Sequence, residues 1–185
     1  NLGLGCEVVS RFELTTALNL GFSNNQILIN GVGKRHWLRD NFEGINVVFD
    51  SLNEVAHFAG SARRGGWRVG FRVAVAGQID PDAPSYSAQF GIEKSQLQRA
   101  MDLLSRESVD PTILHFHLHS DVTSPTAYLD SIAELSEVAR TIGLHPEIID
   151  IGGGLSDRKA TLGLRATGFP AEQMRVVQDA VSRDF

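Results

Sequence analysis

Short β-branched runs recur along the whole chain, separated by stretches whose apolar residues are spaced for helices. This alternation restricts the fold more than any other feature. The runs are Glu7-Val8-Val9, Ile27-Leu28-Ile29, Asn46-Val47-Val48-Phe49, Val69 to Val75, Ile113 to Leu118 and Ile148-Ile149-Asp150-Ile151. They read as strands apolar on both faces, as in a buried parallel sheet. Helices are expected over Arg11 to Leu20, Leu52 to Phe58, Lys94 to Leu104 and Pro125 to Ile142. In the last, Leu129, Ile132, Leu135, Val138 and Ile142 form one apolar stripe. Ser10 before Glu13 and Ser51 before Glu54 fit the capping box, in which serine and glutamate satisfy each other's free amides, and so mark two helix starts. Strand and helix alternating throughout define an α/β fold. The first strands start at intervals of roughly twenty residues, and about six can be counted where a closed (β/α) barrel has eight. Either the sheet is open or two units are missing. No linker divides the chain, so residues 1–185 are expected to form one domain.

Composition removes several function classes. The formal net charge is −5 and like charges form no long run, so neither nucleic acid nor an anionic membrane is an expected partner. Apolar stretches are strand-sized and no leader-like segment opens the chain, which points to a cytoplasmic protein. Cys6 is the single cysteine; it excludes an internal disulfide and reads as a small buried hydrophobe. Lysine is scarce, with Lys34, Lys94 and Lys159 the only ones among 17 basic residues.

Three segments carry candidate chemistry. In Leu114-His115-Phe116-His117-Leu118-His119-Ser120-Asp121, strand alternation turns His115, His117 and His119 to one side. At the C-terminal end of a barrel strand, such groups stand where active sites form. Asp150-Ile151-Gly152-Gly153-Gly154 runs from a strand into three glycines, whose amides can approach a phosphate with no Cβ in the way. Its spacing matches neither the nucleoside triphosphate loop nor the dinucleotide fingerprint, so a single phosphate group is the better guess. Arg72, inside an apolar strand, must be paired there, either structurally or within an active site.

Together these segments resemble the fold type III pyridoxal-phosphate enzymes, in particular the ornithine, diaminopimelate and arginine decarboxylase branch. The family's His-x-His-x-Gly-Ser motif is similar to His115-Phe116-His117-Leu118-His119-Ser120, with His119 in place of glycine, and its Asp-x-Gly-Gly-Gly motif to Asp150 through Gly154. Segments around Gly5 to Leu14, Ile27 to Lys34, Val48 to Glu54 and Val69 to Val75 resemble its second to fifth strands, and Gln89-Phe90-Gly91-Ile92 the element that follows.

The resemblance implies an alanine racemase-like (β/α)8 barrel, incomplete here, with pyridoxal 5′-phosphate as cofactor and an amino acid as substrate. A homodimeric full-length enzyme is implied too. His117 would stack on the cofactor ring, and Ser120, Gly152, Gly153 and Gly154 would hold its phosphate, with Asp150 as part of the binding motif. Arg72 would lie near the ring, and Asp50 and Glu13 would support the site. The Schiff-base lysine would precede Asn1 and the C-terminal β domain would follow Phe185, so the segment alone is expected to be inactive. Amino-acid racemisation is the alternative within the fold. Outside it, His115, His117 and His119 with Asp121 suggest a metal-dependent hydrolase, and a cofactor-binding homologue without catalysis is a third reading.

Overall fold

The computed structural model describes residues 4–78, 90–119, 122, 125–153 and 171–185. Six strands are formed: β1 Cys6–Val8, β2 Ile27–Ile29, β3 Asn46–Phe49, β4 Arg68–Arg72, β5 Ile113–His115 and β6 Ile148–Asp150. All neighbours are parallel and the spatial order is the chain order, β1-β2-β3-β4-β5-β6. That order, with helical crossovers, is the order of a barrel, and the sheet is a curled part of one. The helices are α1 Arg11–Asn19, α2 Leu52–Gly65, α3 Lys94–Arg106, α4 Thr126–Ile142 and α5 Ala171–Asp184. Among the described residues no helix is long and apolar enough to cross a membrane.

Both serine caps form, but the return bond differs from the expected box. Ser10 and Ser51 accept the N–H of Glu13 and Glu54. Each glutamate then accepts from the residue before the serine: Val9 N–H at 2.6 Å and Asp50 N–H at 3.0 Å. The glutamate thereby holds the strand end as well as the helix start. Helix α2 continues past Phe58, because Ala59 and Ala62 extend its buried face, and it stops where Gly66 takes φ +58°. Between β2 and β3 the described crossover contains only the single 3₁₀ turn Lys34–His36.

The strands are not apolar on both faces. Residues facing the helices, among them Val8, Ile27, Ile29, Val47, Phe49, Val69, Phe71, Leu114 and Phe116, belong to one core with Val55, Phe58, Leu97, Leu104, Ile132 and Leu135 from the helices. The alternate residues line the inside of the curl, and near the C-terminal ends they are polar: Asn30, Asp50, Arg72, His115 and Asp150. Arg72, His115 and Asp150 end β4, β5 and β6, and Asn30 and Asp50 come just after β2 and β3, so hydrophobic composition stays high while the two faces differ in chemistry. Cys6 is half-buried against the core rather than fully inside it.

Gly70 lies on this inner face in the middle of β4, opposite Ile113. A Cβ there would fall 1.8 Å from the Ile113 carbonyl oxygen, a backbone atom that cannot swing aside. Gly70→Ala is therefore expected to destabilise the full-length protein by about 3 kcal/mol or more, measured by denaturant unfolding. Wild-type stability of this variant would contradict the β4–β5 approach described here.

Candidate active site

The site is built from one register row of the parallel sheet. Arg72 pairs with His115 and His115 with Asp150; Asp50 follows the last residue of β3, and Asn30 follows β2, its N–H donating to the Val8 carbonyl at 2.9 Å. Parallel register sets these side chains side by side at the C-terminal mouth, where barrel enzymes place their chemistry.

His115 is 1% exposed and committed on both edges. Its Nδ1 lies 2.8 Å from Asp150 Oδ2 and 3.1 Å from the Asp150 carbonyl oxygen, and its Nε2 lies 2.9 Å from Asn30 Nδ2. The Asn30 amide is oriented by its own Oδ1, which accepts from Gly31 N–H at 2.8 Å, and its Nδ2 also donates to Glu7 Oε1 at 2.9 Å. Nδ2 therefore donates to a bare Nε2, which puts the ring proton on Nδ1, toward Asp150. Asp150 Oδ1 in turn accepts from Gly152 N–H at 2.8 Å. Burial acts to raise the Asp150 carboxyl, but His115 and the Gly152 N–H outweigh it and hold the group below the usual carboxylate range.

His117 stands one pleat nearer the mouth, half-buried, its ring centre 6.2 Å from that of His115. Burial, reinforced by the charge of Arg72, lowers its affinity for a second proton. Its Nδ1 accepts from Gly153 N–H at 3.3 Å, and the Gly153 carbonyl accepts from the Tyr128 hydroxyl at 2.8 Å. The glycines are not equivalent. Gly152 has φ +66°, and a Cβ on it would meet His117 Nδ1 at 2.5 Å and the Phe116 carbonyl at 2.8 Å, whereas one on Gly153 would meet His117 Cε1 at an ordinary 3.7 Å.

Arg72 is paired, as its buried position requires. Nη1 donates to Asp50 Oδ1 at 3.2 Å, and the guanidinium lies over the Phe90 ring at 4.9 Å. Phe90 is followed closely by Ile92, whose N–H donates to the Arg72 carbonyl at the end of β4 and whose carbonyl accepts from Ala74 N–H just beyond it. The Arg72 Nε is buried with no hydrogen-bond partner among the described residues. A groove of about 490 Å³ elsewhere, bounded by Arg11, Leu18, Trp37 and Phe42, shares no residue with this cluster.

Of the sequence candidates, Arg72, His117, Asp150, Gly152 and Gly153 come together, with Asp50 beside them. Glu13 sits at the exposed start of α1, and His119 is half-buried beyond His117. Ser120, Asp121, Gly154, Gln89 and Lys159 lie outside the described residues. The three-histidine metal reading fails on His115, whose two nitrogens are both engaged. Among the described residues no group of three ligating side chains could hold a metal ion. Lys34 is fully buried, 2.8 Å from Glu54 Oε2, and donates to the Gly31 carbonyl; Lys94 pairs with Glu134 at 2.6 Å on the helical outside. Sequence reasoning missed Asn30, Tyr128 and the inward part played by Glu54. Asn30 had a signal, since it continues the alternation of Leu28 one step past β2.

Comparison with known proteins covers the whole chain. Residues 1–182 match the family model described as pyridoxal-dependent decarboxylase, pyridoxal binding domain. A probable chloroplastic diaminopimelate decarboxylase of Oryza sativa subsp. japonica is 31% identical over 201 residues, taking in 100% of this chain and 40% of that protein. The biosynthetic arginine decarboxylase of Citrifermentans bemidjiense is 29% identical over 170 residues, 82% of this chain and 27% of that one. The crystal structure of Helicobacter pylori diaminopimelate decarboxylase complexed with L-lysine superposes with a TM-score of 0.72 at 18% identity, covering 96% of this chain and 48% of that one. The chain thus spans less than half the length of these relatives.

The two shifted groups make stability fall with acid. Native His117 takes up a proton less readily than the unfolded chain, so its contribution is present above the unfolded histidine value of about 6.5 and lost as pH falls from there through the lowered native one. Asp150 acts in the same direction at lower pH: its contribution is present above the unfolded carboxylate value and lost as pH falls through the depressed native one. Denaturation midpoints measured from pH 8 to 3 are expected to decline in that order, and His117→Phe to flatten the upper part alone. An unchanged upper limb in His117→Phe would refute the assignment.

Proposed function

Because the chain belongs to the pyridoxal-dependent decarboxylases, matching their pyridoxal-binding domain, we propose that the whole protein decarboxylates an amino acid of the diaminopimelate, ornithine or arginine type. This part of the barrel then supplies the ring and phosphate contacts of the cofactor. The observation that carries the reading is the joining of His117 to the glycine loop, one pleat above the register row that holds Arg72, His115 and Asp150. The residues fit the cofactor: glycine at 152, where a Cβ would collide with the His117 ring, lets the loop lie directly against that ring, and Arg72 keeps a buried Nε with no hydrogen-bond partner among the described residues. Pyridoxal 5′-phosphate bound there supplies an electron sink for the carbon that loses carbon dioxide.

The chain's own residues bind and orient. His117 presents an uncharged aromatic face to the ring, favoured by the burial that keeps it unprotonated. Gly152, Gly153 and Gly154 with Ser120 take the phosphate, and Asp150 shapes their turn through its bond to Gly152 N–H. Arg72 brings positive charge to the ring and to a substrate carboxylate. Lys34 and Lys94 take no part as amines, since both are held in ion pairs. A cytoplasmic homodimer with a small amino-acid substrate completes the proposal. Racemisation draws no support from the relatives, which are decarboxylases.

In the full-length protein loaded with cofactor, release of carbon dioxide from diaminopimelate, ornithine or arginine is the direct assay. His117→Ala is expected to weaken cofactor binding roughly tenfold and to lower turnover, while His115→Ala acts chiefly on stability. Gly152→Ala should weaken cofactor binding far more than Gly153→Ala. Cofactor lost in His115→Ala and kept in His117→Ala would sink this arrangement.

Borohydride reduction with cofactor followed by peptide mapping is expected to label neither Lys34 nor Lys94. Stoichiometric labelling of Lys34 would show that the buried pair with Glu54 opens and that the lysine has another role.

A further inference from the structure

Glu54 is 4% exposed, and its carboxylate has three polar partners from two loops. Oε1 accepts from Lys34 N–H at 3.0 Å, Oε2 accepts from Asp50 N–H at 3.0 Å, and Lys34 Nζ lies 2.8 Å from Oε2. Lys34 is itself fully buried and donates to the Gly31 carbonyl. One carboxylate thus ties the segment behind β2 to the turn between β3 and α2. Helix capping does not require this, since exposed Glu13 caps α1 in the same way with no lysine on it among the described residues. Nor does stability, because desolvation offsets much of a buried pair's attraction and apolar packing often does as well. What the pair supplies is direction. Asp50 is held at its amide by Glu54 and holds Arg72 Nη1 with its carboxylate at 3.2 Å.

We propose that Glu54, neutralised by Lys34, is a positioning residue for Arg72: by fixing the backbone of Asp50 it sets the angle at which the guanidinium faces the barrel mouth. The proposal rests on the reading of Arg72 as part of the cofactor and substrate site.

Two measurements on the full-length protein test it. In the cofactor-free protein, phenylglyoxal modification is followed by peptide mass mapping. Glu54→Gln is expected to raise the rate at Arg72 at least about fivefold and to leave exposed Arg99 unchanged. Lys34→Met/Glu54→Gln, which leaves no unpaired buried charge, should show the same rise if the single variant does not fold. The second measurement is a double-mutant cycle on turnover. Glu54→Gln should lower kcat about tenfold with KM within about twofold, and by less than about twofold when Arg72→Gln is already present. An unchanged modification rate at Arg72, or effects that multiply independently, would overturn the positioning role. Wild-type turnover and cofactor affinity in Arg72→Gln, with the modification rate still raised in Glu54→Gln, would overturn the reading of Arg72 in the site and leave the pairing standing.

Discussion

The mouth of the barrel depends on the contact between His115 and Asp150. Strands of three to five residues have too little ladder to hold register by backbone bonds alone. Polar side chains turned into the curl also cannot go unpaired. His115 meets both demands, because one edge is fixed to β6 through Asp150 and the other to the end of β2 through Asn30. The carboxylate that receives it then shapes the Gly152 turn. A single imidazole therefore joins the middle of the sheet to the turn at Gly152.

The inner face is a chain of such commitments rather than a patch of charge. Glu7 bonds Asn30, Asn30 bonds His115, and His115 meets Asp150; separately, Lys34 neutralises Glu54, Glu54 holds Asp50, and Asp50 pairs with Arg72. His117 stands nearer the mouth, with one edge on Gly153 and the rest half-buried. Rigidity below and partial exposure above is the arrangement that lets a binding group be oriented without being consumed by the fold.

Much of this could be read from the residues. β-Branched runs located all six strands to within a few residues, and Ser10 and Ser51 located two helix starts, because these signals act over neighbouring positions. Three glycines after Asp150 marked the loop for the same reason. Asn30 and Glu54 were hidden because their partners are distant in sequence, His115 lying 85 positions from Asn30 and Lys34 20 from Glu54. Arg72, His115 and Asp150 were legible singly, but their union in one row was hidden, because runs of three to five residues are too short to show a period of two. Helix α5 went unread although Val177 and Ala180 are spaced three apart and buried, and α2 ran on because alanines carried its buried face.

The consecutive strand order has a consequence for how the chain is made. Each new strand adds beside the one just completed, so the sheet can grow from one edge as the polypeptide emerges, with few long-range pairings to wait for. The side-chain links do not follow that schedule: Asn30 is in place long before His115 is synthesised, and Asp150 comes later still. The scaffold is therefore assembled by neighbours and the mouth by late arrivals, since its side-chain links close only once the last of the six described strands has been made.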